Sequence, residues 1–337
     1  MKQAETSRYY KILSREMPEW LGEYINTEKM QAQKYISMVC GTLYSDLFGV
    51  KSFYSSLDHS VGVALIVWNF THDRAQTLAG LFHDIFTPAF KHCVDFLNGD
   101  YMTQESTEGR TTAFIKNSED IMSLLKRDGI SVAEVDDYHL YPITDNDTPQ
   151  LSADRLEYSL SNALFTYEML SETEIADIYN DLEIQTNESG EAELGFRTKA
   201  LAEKFVDVTS RLSVVYRDDR TRFSMQFIAE VLKGLEKTNE ITLEDLYTKK
   251  ESEIIEIIEN SKYREAWDKW RHAKKINTSV NEPRGVYFVH QGTKIRYVNP
   301  LCGGVRISDI SENARAAIAQ NLAYNTDNYV FLDFQLN

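Results

Sequence analysis

Scarcity of backbone punctuation constrains this chain most: its 337 residues include only 15 glycines and 6 prolines. Up to about residue 275 the apolar side chains recur at three- and four-residue spacing, the period of a helix and not the alternation of a strand. Helices are predicted over residues 30–43, 60–70, 74–86, 154–170 and 223–235. The texture changes after Pro283, where residues 285–298 read as two strands around Gln291-Gly292. The expected architecture is therefore mainly α: a helical body over residues 1–275, with a small C-terminal α+β tail over 276–337 packing on it. Residues 172–195 are acidic and carry Asn187, Ser189 and Gly190, so an exposed excursion between helices is expected there. The alternating charges of 248–275 are read as a solvated helix face.

A hydrophobic content of 42% is enough to fill a substantial core. The formal net charge of -16 opposes docking on polyanions, which argues against a nucleic-acid or anionic-membrane partner. The longest apolar stretch, residues 61–70, is far short of the roughly 20 residues needed to span a bilayer. The first residues, MKQAETSRYY, lack the apolar core of a signal peptide. Cys40, Cys93 and Cys302 are scattered, without the spacing of a disulfide framework or thiolate zinc site. A cytoplasmic protein with reduced thiols is expected.

Against this background three polar intrusions stand out. The first is Leu78-Ala79-Gly80-Leu81-Phe82-His83-Asp84, a histidine and an aspartate inside an apolar helical run, where unpaired burial is costly. The second is His59, at the start of the apolar helix that begins Leu57-Asp58-His59-Ser60-Val61. The third is Asp154, opening Asp154-Arg155-Leu156-Glu157-Tyr158. Two imidazoles and two carboxylates suit one divalent transition metal (Mn, Fe, Co, Ni or Zn, with Mg also open) and leave positions for water and substrate. His72, His139, His272 and His290 are read as hydrogen-bonded core residues instead.

The ordered words His59-Ser60-Val61-Gly62-Val63, His83-Asp84-Ile85-Phe86-Thr87-Pro88-Ala89-Phe90-Lys91-His92, Asp95 and Asp154-Arg155-Leu156-Glu157-Tyr158 resemble the HD superfamily of metal-dependent phosphohydrolases, particularly its deoxynucleoside triphosphate triphosphohydrolase-like branch. The match covers roughly residues 35–170. The tail words from Lys294 to Leu301 and from Arg306 to Ile310 are similar to the strand segment that follows the helical body in such proteins. The resemblance implies an HD-domain helical bundle, metal ligands at His59, His83, Asp84 and Asp154, and hydrolysis of a phosphate ester or anhydride. It also implies phosphate contact and proton transfer by His92 and Asp95. Glu105 falls on the acidic member of the family's His-Glu pair, Arg155 on a phosphate-binding cation and Tyr158 on an aromatic beside the sugar. Three positions depart from the pattern: Thr87 and Gln104 stand where the family carries histidines, and Ser56 where many relatives carry arginine. These departures bear on triphosphohydrolase activity and leave the metal ligands intact.

The chemistry expected is attack on phosphorus by a metal-activated water, with His92, Asp95 and Glu105 as proton carriers. Lys91, His92, Arg110, Lys116 and Arg155 are expected to form a positive pocket for phosphate inside an acidic protein. The substrate is expected to be a phosphorylated small molecule, foremost a nucleotide, and a homo-oligomer is open. Thr87 and Gln104 favour one competing reading, a metal-stabilised nucleotide sensor or scaffold with little turnover. Lys294, Arg296 and Tyr297 are assigned to structural or dimer contacts ahead of an effector-nucleotide site.

Overall fold

Ser55 begins the central helix by closing a capping box: its hydroxyl accepts the Asp58 amide at 3.1 Å, and the Asp58 carboxylate accepts the Ser55 amide at 3.0 Å. The computed structural model describes residues 2–99, 102 and 111–336. In it, α1 (Ser56–Thr71) packs against α2 (Arg74–Phe82), which Asp73 caps through the Gln76 amide at 2.9 Å. Across α1 lies α3 (Ala153–Ser161), capped by Ser152. There follow α4 (Glu172–Asn180), β1 (Leu182–Thr186), β2 (Ala192–Phe196), α5 (Lys199–Val215) and α6 (Asp219–Lys237). The tail contributes β3 (Asn277–Ser279), β4 (Phe288–Val289), β5 (Leu301–Cys302), β6 (Val305–Arg306), α7 (Glu312–Leu322) and β7 (Tyr329–Phe331). The fold is mainly α, as the periodicity predicts. Among the described residues no helix is long and apolar enough to cross a membrane.

Three local expectations are corrected. Residues 30–43 do not form one helix: the chain turns extended at Ile36 (φ -111°, ψ 127°), where Ser37 bridges to Ser55, and Cys40 and Gly41 then both adopt left-handed backbone (φ 51° and 74°). A side chain at Gly41 would place a Cβ 2.7 Å from the Phe90 ring, so glycine is required where this turn crosses the core. The predicted helix 74–86 stops at Phe82: a tight turn follows, and Pro88 disfavours helical backbone at Thr87. Residues 172–195 are ordered secondary structure. Glu172 and Glu174 occupy the first turn of α4, where negative charge is favoured, and β1 pairs antiparallel with β2 through a turn held by Asn187. Buried Glu193 meets Arg306 of β6 at 2.7 Å.

The tail also differs from expectation, since no hairpin forms around Gln291-Gly292. β4 pairs instead with β7, which also pairs with β3, and the chain from 290 to 300 runs without a strand partner. Its backbone groups are satisfied from the helices: Arg222 donates to the Gln291 carbonyl at 3.1 Å, and Ser213 donates to that of Arg296. β5 then aligns parallel to β2, completing a sheet of order β1-β2-β5-β6.

Two apolar clusters fill the interior. One gathers α1 to α5 with Val298, Ile307 and Ile318 of the tail; the other gathers α6, residues 89–96 and 241–270, with Val289, Val330 and Phe334. Tail side chains therefore enter both cores. Removal of residues 284–337 is expected to expose apolar surface and drive aggregation, as read by size-exclusion chromatography; a truncated monomer with native helicity would show the tail to be separable.

Candidate metal centre

Three helix ends supply the polar cluster. His59 lies in the first turn of α1, one turn from Ser55, and its amide donates to the Ser55 carbonyl at 3.1 Å. Asp154 lies in the first turn of α3. His83 sits at the C-cap of α2, where its Nδ1 donates to the Gly80 carbonyl at 2.7 Å, satisfying a helix-end acceptor. His59 Nδ1 donates to Glu157. Each imidazole therefore turns its Nε2 inward, and the two Nε2 atoms are 3.1 Å apart.

Asp154 Oδ1 lies 3.1 Å from His59 Nε2 and 3.6 Å from His83 Nε2. His59, His83 and Asp154 form a group that could hold a divalent metal ion. Asp84 Oδ2 is farther out, at 4.0 and 3.7 Å from the same nitrogens, and meets the Lys91 ammonium at 2.5 Å. Burial opposes protonation of His59, but Glu157 and Asp154 outweigh it and raise its pKa to about 9. Burial likewise opposes ionisation of Asp154, yet His59 and His83 bring it down to about 2. Against the same desolvation, Lys91, then His83 and His59, hold Asp84 far below the usual carboxylate range. The field at this point favours a positive charge.

Glu157 is the residue that sequence reasoning missed. It is fully buried and accepts from His59, from the Tyr54 hydroxyl at 2.6 Å and from the Tyr9 hydroxyl at 3.1 Å. A Cβ on Gly62 would lie 2.7 Å from the Glu157 side chain, so the glycine one turn along α1 makes room for it. Its signal was spacing: it lies one turn beyond Asp154, in the same Asp-Arg-Leu-Glu-Tyr word.

The cluster opens into a cavity of about 920 Å³ whose walls come from both apolar clusters. Lys91, His92, Arg155 and Tyr158 line it. His92 Nδ1 meets the buried Asp95 carboxylate at 2.8 Å. Burial holds His92 below its usual pKa, Asp95 works against that, and the charges of Arg296 and Lys91 reinforce it. Arg155 is turned into the loop beside α3, donating to Asn146 Oδ1 at 2.5 Å and to Gln150 and Ser152. Lys116 is exposed at the end of a short helix and does not line the cavity, contrary to expectation. Thr87 is buried away from it. Gln104, Glu105 and Arg110 lie outside the described residues. His72, His139, His272 and His290 are exposed rather than in the core, and His139 lines the cavity. Lys294 and Arg296, assigned from sequence to structural or dimer contacts, also line it.

No protein-family model matches the chain. It is 25% identical over 274 residues to the uncharacterized protein YdhJ of Bacillus subtilis, covering 77% of this chain and 78% of that one. It is 25% identical over 148 residues to the metal-dependent phosphohydrolase cns2 of Cordyceps militaris, covering 43% of this chain and 42% of that one. Identity to the uncharacterized protein MG461 of Mycoplasma genitalium is 26% over 253 residues, and the match spans 66% of this chain and 59% of its relative. Among solved structures, a phosphohydrolase from Bacteroides thetaiotaomicron superposes with a TM-score of 0.62 at 12% identity, over 95% of this chain and 97% of that one. A hypothetical protein from Aquifex aeolicus gives 0.61 at 16%, over 94% and 93%. These similarities establish a shared, mainly α-helical fold.

Proposed function

We propose that the chain is an HD-type metal-dependent phosphohydrolase that hydrolyses a phosphate ester or anhydride of a small molecule, with a nucleotide as the preferred class. One observation carries this reading: His59, His83 and Asp154 converge at a cavity large enough for such a ligand. The donor set fits a divalent ion because both outer imidazole nitrogens are committed as donors, leaving two inward lone pairs beside a carboxylate. His59, His83, Asp154 and Asp84 would hold Mn, Fe, Co, Ni or Zn in preference to Mg, which imidazole suits less well. When bound, such an ion acidifies a coordinated water and polarises a phosphoryl oxygen. The metal-dependent phosphohydrolase of Cordyceps militaris and the Bacteroides phosphohydrolase agree with this chemistry.

The chain's own residues then supply orientation and proton transfer. His92, held below its usual pKa by burial and neighbouring cations, is able to accept a proton at Nε2, while Asp95 fixes Nδ1. Tyr158, Tyr167 and Tyr216 offer an aromatic wall for a planar group. The competing sensor reading draws on Thr87, which neither titrates near neutral pH nor lines the cavity.

The test is elemental analysis of purified protein followed by metal-dependent phosphate release across nucleoside mono-, di- and triphosphates and simple monoesters. His92→Ala and Asp95→Asn are expected to slow turnover about 10²-fold or more with bound metal retained. Because the His92 pKa is depressed, wild-type activity should persist on the acid side of an ordinary histidine titration. Wild-type rates equal to the metal-free background on every substrate, with nucleotide still bound, would establish the sensor instead.

A further inference from the structure

The cavity must attract an anion inside a protein of net charge -16, and Asp145, Asp147 and Glu191 make one of its walls acidic. Local cations have to overcome that field. Arg155, the cation that the sequence nominates, is oriented by the loop beside α3 through Asn146, Gln150, Ser152 and, at 3.4 Å, Asp145. Lys91 is oriented by Asp84 at 2.5 Å. Two further cations reach the cavity from the tail, Lys294 and Arg296.

The segment carrying them is built into the body as a strap. Arg222, fully buried on α6, holds the Gln291 carbonyl at 3.1 Å. On the other side, the Arg296 carbonyl accepts from Ser213 of α5 and from Asn321 of α7 at 3.2 Å. The Asn299 amide donates to the Pro149 carbonyl at 2.8 Å, and Val298 is buried in the core. Anchors thus flank both cations, which is what a preformed anion site requires and what a loose surface loop lacks. The Arg296 charge acts on His92 and Tyr158, placing its field over the part of the cavity between the imidazole and the aromatic wall.

We infer that Lys294 and Arg296, carried by the anchored 290–300 strap, form an anion-binding subsite of this cavity that takes the phosphate oxygens of the ligand. The inference rests on the proposed phosphohydrolase reading for the identity of that ligand, and it makes the tail part of the site. A guanidinium and an ammonium bind phosphate oxygens by charge-assisted hydrogen bonds, and Arg296 can do so with two parallel donors.

The experiment uses the full chain loaded with Mn, inorganic pyrophosphate as probe in titration calorimetry, and the variants Lys294→Gln, Arg296→Gln, the double variant and Arg296→Lys. Each neutral variant should weaken pyrophosphate binding about 10-fold and the double variant about 100-fold, with metal content and Tm unchanged; Arg296→Lys should recover part of the loss. Pyrophosphate affinity unaltered in the double variant overturns the inference, and so does wild-type protein that fails to bind the probe. Charge-dependent binding without turnover of any phosphorylated compound keeps the subsite and rejects the hydrolase. Turnover with both KM and pyrophosphate affinity unaltered in the double variant does the reverse.

Discussion

Asp154→Ala is expected to lose the metal ion and metal-dependent phosphate release together, with turnover falling by at least about 10³-fold. Asp154 is the carboxylate nearest both inward nitrogens, at 3.1 Å from His59 Nε2 and 3.6 Å from His83 Nε2. Without it, two imidazoles remain, and Asp84 already pairs with Lys91. Divalent ions bind weakly to so poor a donor set, and an unassisted water, with its pKa near 15.7 instead of about 7, is almost never hydroxide at neutral pH. The fold should survive, because Asp154 is partly exposed and the α3 cap belongs to Ser152. Elemental analysis and phosphate release on the same preparation provide the check. A variant with full metal and wild-type turnover would remove Asp154 from the site.

Glu157→Ala should carry the largest stability cost of any single change near the centre, about 3–5 kcal/mol. The carboxylate is inaccessible and accepts from His59, Tyr54 and Tyr9, so its removal strands the ring N–H and the Tyr54 hydroxyl in the core, leaves Tyr9 only the backbone carbonyl at 3.4 Å, and opens a void. Metal affinity should also fall about 10- to 100-fold, because Glu157 fixes the His59 tautomer and ring orientation. Glu157→Gln separates the two effects: it fills the volume and restores one acceptor, recovering part of the stability, but its amide cannot match the charge that favours a cation at His59. Urea denaturation and metal titration measure each. An unchanged denaturation midpoint in Glu157→Ala would show that the hydrogen-bonded network contributes little.

The candidate metal ligands stood out in the sequence because each is a local anomaly, a polar group in an apolar helical word, and the family-like order of those words pointed the same way. Glu157 stands in the same word as Asp154, but a glutamate on a helix ordinarily faces water. Its burial depends on Tyr9 and Tyr54, which lie far away in sequence. Arg155 shows the converse: its position suited phosphate contact and it lines the cavity, but its guanidinium is oriented by the loop carrying Asn146 and Gln150, which no local pattern shows. The break after Tyr35 was hidden because residues 30–43 keep a helical apolar spacing, and it depends on Ser55, which Ser37 bridges, and on the Phe90 and Ile228 side chains that the turn at Cys40-Gly41 must pass.

By itself the sequence determined the mainly helical class, the approximate places of the helices that carry the candidate ligands and the identity of the imidazoles and carboxylates. Caps such as Ser55, Asp73 and Ser152 and the 3.6-residue period act within one or two turns, so short words contain them. Only the tertiary structure decided that the 290–300 segment becomes a strap over the cavity instead of a hairpin. It also decided that the acidic 172–195 region supplies strands for a sheet the tail completes. Strand pairing and the satisfaction of backbone groups depend on partners distant in the chain, such as Arg222 for Gln291 and Gly195 for Leu301, and no local pattern specifies which partner will be near.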